Sequence, residues 1–292
     1  MAQEDSIKLH RATIVGPGLL GASIAIGLKE KEMIQELWVW LRNESKIKDC
    51  IGEDWCDYAT INLKEAIQGS DLVVLCTPIE TIVKHINLVS EWAKPGCIVT
   101  DVGSLKKRIC EEAENRFKGK QSFFTGSHPM AGSEKSGMRY ADSKILQNKS
   151  CIITPTAITD SVSLNKLEKI WEVLGFRVTK MNPDKHDQVV GCISHLPHIM
   201  ATVLMNTVHN SCPQEMELSG DGLKDTTRIA AGNPKLWEQI LLGNKDNLVS
   251  LIEEAQTHLQ EFKEAIASNN GEKVTESLMQ GQEARQCLND DR

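Results

Sequence analysis

With 292 residues, the chain has length for about two domains at roughly 150 residues each, and 40% apolar residues allow a substantial core. A formal charge of −7 (33 Lys and Arg against 40 Asp and Glu), with no basic block, leaves nucleic-acid binding without electrostatic support. No apolar run approaches the ~20 residues that span a bilayer, and polar Met1 to Arg11 lacks a signal-peptide core, so the expectation is a cytoplasmic protein with no membrane partner. The nine cysteines lie apart, with no C-x-x-C pair, and several, such as Cys76 and Cys151, sit in apolar runs; free thiols are expected.

Ala12 to Val15 is a short β-branched run that leads into Gly16-Pro17-Gly18-Leu19-Leu20-Gly21, and Ala22 to Leu28 continues with helical spacing. Strand, glycine turn, helix is the dinucleotide-binding pattern. The first glycine permits the turn, the second lets a pyrophosphate approach the backbone, and the third allows helix and strand to pack closely. The helix N-terminus, at Leu19 and Leu20, offers free N–H groups to phosphate. The next strand, Leu37 to Leu41, should end at the adenosine ribose, where NAD-binding chains carry Asp or Glu. Here the tip reads Leu41-Arg42-Asn43-Glu44. Arg42 suits a 2′-phosphate and points to NADP, with NAD possible, although a two-residue change of register would put Glu44 there.

Asp71 to Pro78 reads as a buried parallel strand whose end, Thr77 and Pro78, should border the nicotinamide ribose. A helix over 79–92, a strand over 97–102 and a helix over 105–117 follow. Ser104 stands between the last two, suited to a helix N-cap or to a site hydroxyl. Thr125 to Gly137 reads as a loop of small residues around His128, followed by Pro129. A histidine held this way can bond a reacting hydroxyl and titrates near neutral pH. Ser150 to Pro155 is another strand, 161–174 a helix, and Phe176 to Met181 a strand that closes the sheet.

From Pro183 the pattern is helical, over about 183–210, 219–231, 234–268 and 272–286. The long stretch Leu236 to Ile266 suggests interlocked subunits. The expected architecture is therefore α/β: an N-terminal Rossmann domain with a doubly wound, mostly parallel sheet (1–181), plus an all-α C-terminal dimerisation domain (182–292). That is a 6-phosphogluconate-dehydrogenase-like plan by analogy. Two places break the helical apolar pattern. Cys192 to His198 places Pro197 inside a predicted helix, with His195 and His198 on one face. Gly222 to Ala230 packs Lys224, Asp225 and Arg228 beside apolar neighbours. Zinc needs three or four ligands and no third is legible, so no metal is expected and His198 reads as a satisfied structural histidine. Arg228 by position alone reads as a solvated arginine.

The strings GSHPMAG (126–132), SHLPH (194–198) and DTTRIA (225–230), in this order after GPGLLG, resemble the prephenate/arogenate dehydrogenase family of tyrosine biosynthesis over roughly residues 10–287. The resemblance implies oxidative decarboxylation of prephenate or arogenate, with hydride passing from ring C4 to a nicotinamide cofactor. It implies that His128 accepts the C4 hydroxyl proton while Ser104 positions the hydroxyl or His128. Arg228 would pair with a substrate carboxylate, and His195 would face the ring or its side chain. Glu134, Lys224 and Asp225 would form an ion network at the entrance, with Ser133 nearby. An acid such as Asp225 or Glu134 beside the substrate side chain would favour arogenate, and the choice between the two substrates stays open. The resemblance also implies a homodimer through the helical half. Two other readings are a 3-hydroxyacid or 6-phosphogluconate-type dehydrogenase, which would want a catalytic lysine early in the helical half, where this chain offers His195 and His198 with Lys185 upstream, and a non-enzymatic NADP-binding sensor.

Overall fold

The computed structural model describes residues 7–132 and 137–288. The elements of the first half are β1 (Leu9–Val15), α1 (Leu19–Glu30), β2 (Ile34–Trp40), α2 (Ile47–Ile51), β3 (Tyr58–Thr60), α3 (Leu63–Ile67), β4 (Leu72–Leu75), α4 (Ile79–Trp92), β5 (Ile98–Asp101), α5 (Lys107–Phe117), β6 (Phe123–Phe124), β7 (Gly126–Pro129), β8 (Ser150–Thr154), α6 (Ser161–Val173) and β9 (Arg177–Lys180). β1 to β6 form one sheet in the order β3-β2-β1-β4-β5-β6, with every pairing parallel. This is the doubly wound Rossmann order, and it reverses between β1 and β4. β4 and β5 are buried along their whole length because helices cover both faces, which explains the unbroken apolar run of β4; in β5 the buried Thr100 and Asp101 have polar partners.

Two expectations about this half need correction. The strand that begins at Phe176 does not close the parallel sheet: β9 pairs with β8, and β8 with β7, in a separate three-stranded sheet. The segment around His128 is not a loop, since Gly126–Pro129 is a buried strand antiparallel to β8 with His128 opposite Ile152. Small residues there serve packing. A Cβ at Gly126 would come within 2.5 Å of Thr154 Oγ1. The polar stretch before β8 holds two 3-10 turns, Met138–Tyr140 and Ser143–Leu146, and Leu146 is buried.

The helical half contains α7 (Pro183–Val190), a π-helical turn (Gly191–His195), α8 (Leu196–Ser211), α9 (Asp221–Thr227), α10 (Pro234–Gly243), α11 (Lys245–Ala267) and α12 (Gly271–Gln286). Asn182 caps α7, accepting from Lys185 N at 2.7 Å, and Pro183 occupies the first turn, where its missing N–H costs nothing. Pro197 is accommodated in the same way. It lies in the first turn of α8, and the π turn just before it absorbs the wider backbone.

The helix expected over 234–268 is broken at Asn244 (φ −115°, ψ 23°), which leaves α10 and α11 as separate elements. The helical segment Pro183–Ser211 is 29 residues long and reaches a mean hydropathy of 1.3 over an 18-residue window, long and apolar enough to cross a membrane by length and composition. Its polar residues are mostly uncharged, which keeps the average high. Ile193, Met200, Val203 and Leu204 on it are exposed in the single chain.

Candidate functional site

Val15, Leu75 and Asp101 lie in one row across β1, β4 and β5, so the residues that follow them share the carboxyl edge of the sheet. Gly16 has φ +90°, and a Cβ there would meet Thr77 Cγ2 at 2.7 Å. A Cβ on Gly21 would stand 2.9 Å from the Gly16 carbonyl oxygen and 3.1 Å from Ile14 Cγ2, so this glycine seats α1 against β1. Gly18 differs, because a Cβ there would meet nothing within 4 Å; the space beside it is open. α1 has no side-chain cap and no acidic residue in its first turn, so Leu19 and Leu20 begin an uncapped helix. Thr77 Oγ1 is buried and has no hydrogen-bond partner among the described residues, which suits a ligand hydroxyl, and Pro78 precedes α4 beside it. An open glycine turn, a free helix N-terminus and an unsatisfied hydroxyl on one edge fit a dinucleotide.

At the tip of β2, Gly16 N donates to Trp40 O at 3.0 Å, which fixes the register. Arg42 follows two residues after β2 and is exposed. Glu44 lies in a separate 3-10 turn capped by Asn43, whose Oδ1 accepts from Ser45 N at 3.0 Å.

The second cluster surrounds His128. Ser127 is gripped from four directions. Its Oγ pairs with Thr100 Oγ1 at 2.8 Å and accepts from Trp171 Nε1 at 3.0 Å, its N–H donates to Asp101 Oδ1 at 3.3 Å, and its carbonyl accepts from Lys106 Nζ at 2.8 Å. Lys106 also forms an ion pair with Asp101, and both side chains are 0% exposed. Burial pushes the Asp101 carboxyl up, against the pull of Lys106 and of the Gly103 N–H that it accepts at 2.8 Å. Successive strand residues point to opposite faces, so anchoring Ser127 on one side aims His128 to the other.

There His128 Nδ1 lies 2.9 Å from His186 Nε2, and His186 Nδ1 lies 2.7 Å from Asp187 Oδ1. Burial first, then the charges of His186, Lys106 and His195, hold the His128 imidazole well below its ordinary value, so it is neutral at neutral pH. His195, at the end of the π turn, accepts from Asn244 Nδ2 at 3.1 Å, and burial lowers it to about 4. Asn244 Nδ2 also donates to the Asp187 carbonyl at 2.8 Å, so the break between α10 and α11 is where one side chain ties His195 to α7.

The expected residues divide sharply. His128 and His195 are brought together, buried and neutral. Ser104 does not cap α5, which starts at Lys107. It is half-buried with no side-chain bond among the described residues, and Asp187 takes the capping role, accepting from Lys106 N at 2.8 Å and Lys107 N at 3.1 Å. Lys224, Asp225 and Arg228 are exposed on α9 and the following 3-10 turn, and none of their side chains is ion-paired among the described residues. Ser133 and Glu134 lie outside the described residues, and so does any network through Glu134. His198 is not satisfied by hydrogen bonds. Its ring stacks on Trp237 at 3.5 Å and 11°, and its Nδ1 has no partner. Lys185 is exposed while its neighbours His186 and Asp187 are buried, so the helix turns a His-Asp pair inward and leaves the lysine amine outside.

Sequence reasoning missed Lys106, His186, Asp187, Asn244 and Trp237. The available signals were Asp101 ending a buried strand, and the His-Asp dipeptide early in a helix otherwise read by its apolar period.

Comparison with known proteins decides the family. The prephenate dehydrogenase nucleotide-binding domain model matches residues 27–180, and the prephenate dehydrogenase dimerization domain model matches residues 182–280. The chain belongs to the prephenate dehydrogenase family. It is 30% identical to the prephenate dehydrogenase of Bacillus subtilis over 269 residues, covering 89% of this chain and 71% of that protein. Among solved structures, Aquifex aeolicus prephenate dehydrogenase in complex with hydroxyphenyl propionate and NAD+ superposes with a TM-score of 0.88 at 32% identity, covering 97% of this chain and all of that one. Synechocystis arogenate dehydrogenase gives a TM-score of 0.81 at 29% identity, over 95% and 99% of the two chains. The protein is thus an oxidoreductase of aromatic amino-acid biosynthesis that uses a nicotinamide cofactor on a prephenate- or arogenate-type substrate.

Proposed function

We propose that this chain catalyses the NADP-preferring oxidative decarboxylation of prephenate or arogenate, to 4-hydroxyphenylpyruvate or tyrosine respectively, with His128 as the proton acceptor. The observation that carries the reading is a neutral, buried His128 whose imidazole is fixed from behind by His186, with His195 beside it. NADP preference is supported by Arg42 following β2 where an acid would hold the ribose of NAD, with Glu44 displaced into the next turn.

Gly16, Gly18, Gly21, Leu19 and Leu20 would hold the pyrophosphate, Arg42 the 2′-phosphate, and Thr77 with Pro78 the nicotinamide ribose. The bound cofactor supplies the acceptor for the hydride that leaves ring C4. His128 takes the C4 hydroxyl proton at Nε2 as the carbonyl forms. The ring carboxylate then departs as carbon dioxide, and aromatisation drives the step. Ser104 positions the hydroxyl, and Arg228 binds a substrate carboxylate with Lys224, Asp225, Ser133 and Glu134 about the entrance. His195, neutral and oriented by Asn244, faces the substrate. The chain's task is orientation and one proton transfer. Exposed Met200, Val203, Leu204, Leu236 and Leu242 in the half matched by the dimerization domain support a homodimer through these helices, acting in the cytoplasm.

Four assays test the reading: NADP and NAD, each offered with prephenate and with arogenate, following nicotinamide reduction. Reduction of NADP with one of the substrates, at higher kcat/KM than NAD, is expected. Silence in all four mixtures with cofactor bound would overturn the activity, and faster use of NAD would overturn the role of Arg42.

A further inference from the structure

The hydrogen bonds behind His128 determine which of its nitrogens carries the proton. Asp187 accepts the Lys106 N–H at 2.8 Å and the Lys107 N–H at 3.1 Å, a carboxylate seated on the N-terminus of α5. A carboxylate only accepts, so the 2.7 Å contact with His186 requires the proton on His186 Nδ1. Burial keeps the His186 imidazole below its ordinary value and therefore neutral, which leaves its Nε2 bare. A bare nitrogen must accept, so the 2.9 Å contact is donated by His128 Nδ1–H. The lone pair of His128 then lies on Nε2, at the opposite edge of the ring.

We propose that His186 and Asp187 are positioning residues that lock His128 in the tautomer whose bare Nε2 receives the substrate proton. The role in turnover rests on the function proposed above, while the tautomer itself does not. The step balances: the substrate O–H bond breaks, a His128 Nε2–H bond forms, and the chain gains one proton, later released to water. His128 becomes an imidazolium whose Nδ1–H is already held by His186, while Asp187 accepts the His186 Nδ1–H. The charged and titratable groups facing it are Lys106 before α5, Asp101 at the end of β5, His186 and Asp187 on α7, and His195 on the π turn. Lys106 is already paired with Asp101, so Asp187 is the counter-charge reached through hydrogen bonds. Asp187 and the N-terminus of α5 lie 81 positions apart in the chain at Lys106, so the same carboxylate that fixes the tautomer joins the sheet half to the helical half.

The test uses full-length protein labelled with nitrogen-15 in its histidines, without substrate, beside His186→Leu and His186→Gln. In the unaltered protein the imidazole nitrogen shifts should place the His128 proton on Nδ1. His186→Leu removes the acceptor, so the proton should move at least partly to Nε2, and kcat should fall about 10-fold or more, with the ~10²–10⁴-fold that a general base supplies as the ceiling. NADP affinity should stay unchanged. His186→Gln offers a carbonyl to His128 and an amide N–H to Asp187, and should restore both the tautomer and most of kcat. A His128 proton on Nε2 in the unaltered protein overturns the proposal, whether or not either variant folds. So does a His186→Leu protein with unaltered tautomer and kcat. The expected tautomer shifts in a protein silent on both substrates would leave the lock standing and remove the proposed function.

Discussion

The glycine turn after β1 and the histidine cluster behind β7 are assembled from different kinds of information. In the first, residues 16–21 supply the positive-φ turn, the open backbone and the uncapped helix N-terminus from one short stretch. In the second, His128, His186, Asp187, His195 and Asn244 come from β7, α7, the π turn and the break before α11, and they are held by bonds that span 49 to 81 positions. A site made of consecutive residues is written in local order. A site made of distant residues depends on the two sheets and the helices already being packed, so damage to packing should reach the histidines before it reaches the glycines.

The comparison is broken or sharpened by three measurements. The largest effect should come from His128→Asn, which removes the proposed proton acceptor but leaves the glycine turn intact. We expect kcat to fall ~10²–10⁴-fold with unchanged NADP affinity by equilibrium titration. Near-normal turnover would take His128 out of the reaction. Next, Lys106→Met leaves Asp101 as an uncompensated buried charge beside Ser127, which should cost about 3–5 kcal/mol of stability in urea unfolding. A midpoint equal to that of the unaltered protein would mean that the pair is not what holds Ser127.

The smallest effect is an acid sensitivity that the histidine cluster has and the glycine turn lacks. The folded values of His128, His186 and His195 lie below those of the unfolded chain. Above about pH 6.5 these rings are neutral in both states and contribute no pH dependence. As pH falls from about 6.5 toward about 4, the unfolded state takes up protons that the folded state refuses, so stability drops. His195 by itself should account for up to ~3 kcal/mol of that loss. Urea midpoints should therefore fall across this window, and His195→Gln should flatten the slope. An equally steep fall in the variant would exclude His195 as a source.

The sequence by itself determined the strand, glycine turn and helix that open the Rossmann half, because a tight turn, a close helix and a free N-terminus each demand particular residues at fixed local spacing. It also carried the family, since GSHPMAG, SHLPH and DTTRIA resemble the prephenate/arogenate dehydrogenases and the two prephenate dehydrogenase domain models match the chain. Tertiary structure decided the rest. Gly126 to Pro129 reads locally as a loop, yet it becomes a strand because β8 pairs with it. The strand at Arg177–Lys180 has the right pattern for a sheet but joins β8 instead of the parallel sheet, a choice made by which edge is available. The 234–268 pattern looks continuous, yet Asn244 turns inward for His195 and the Asp187 carbonyl. Lys106 and Asp187 look like surface charges in any local window. Only the folded chain, by excluding water around them and supplying their partners, makes them part of the site.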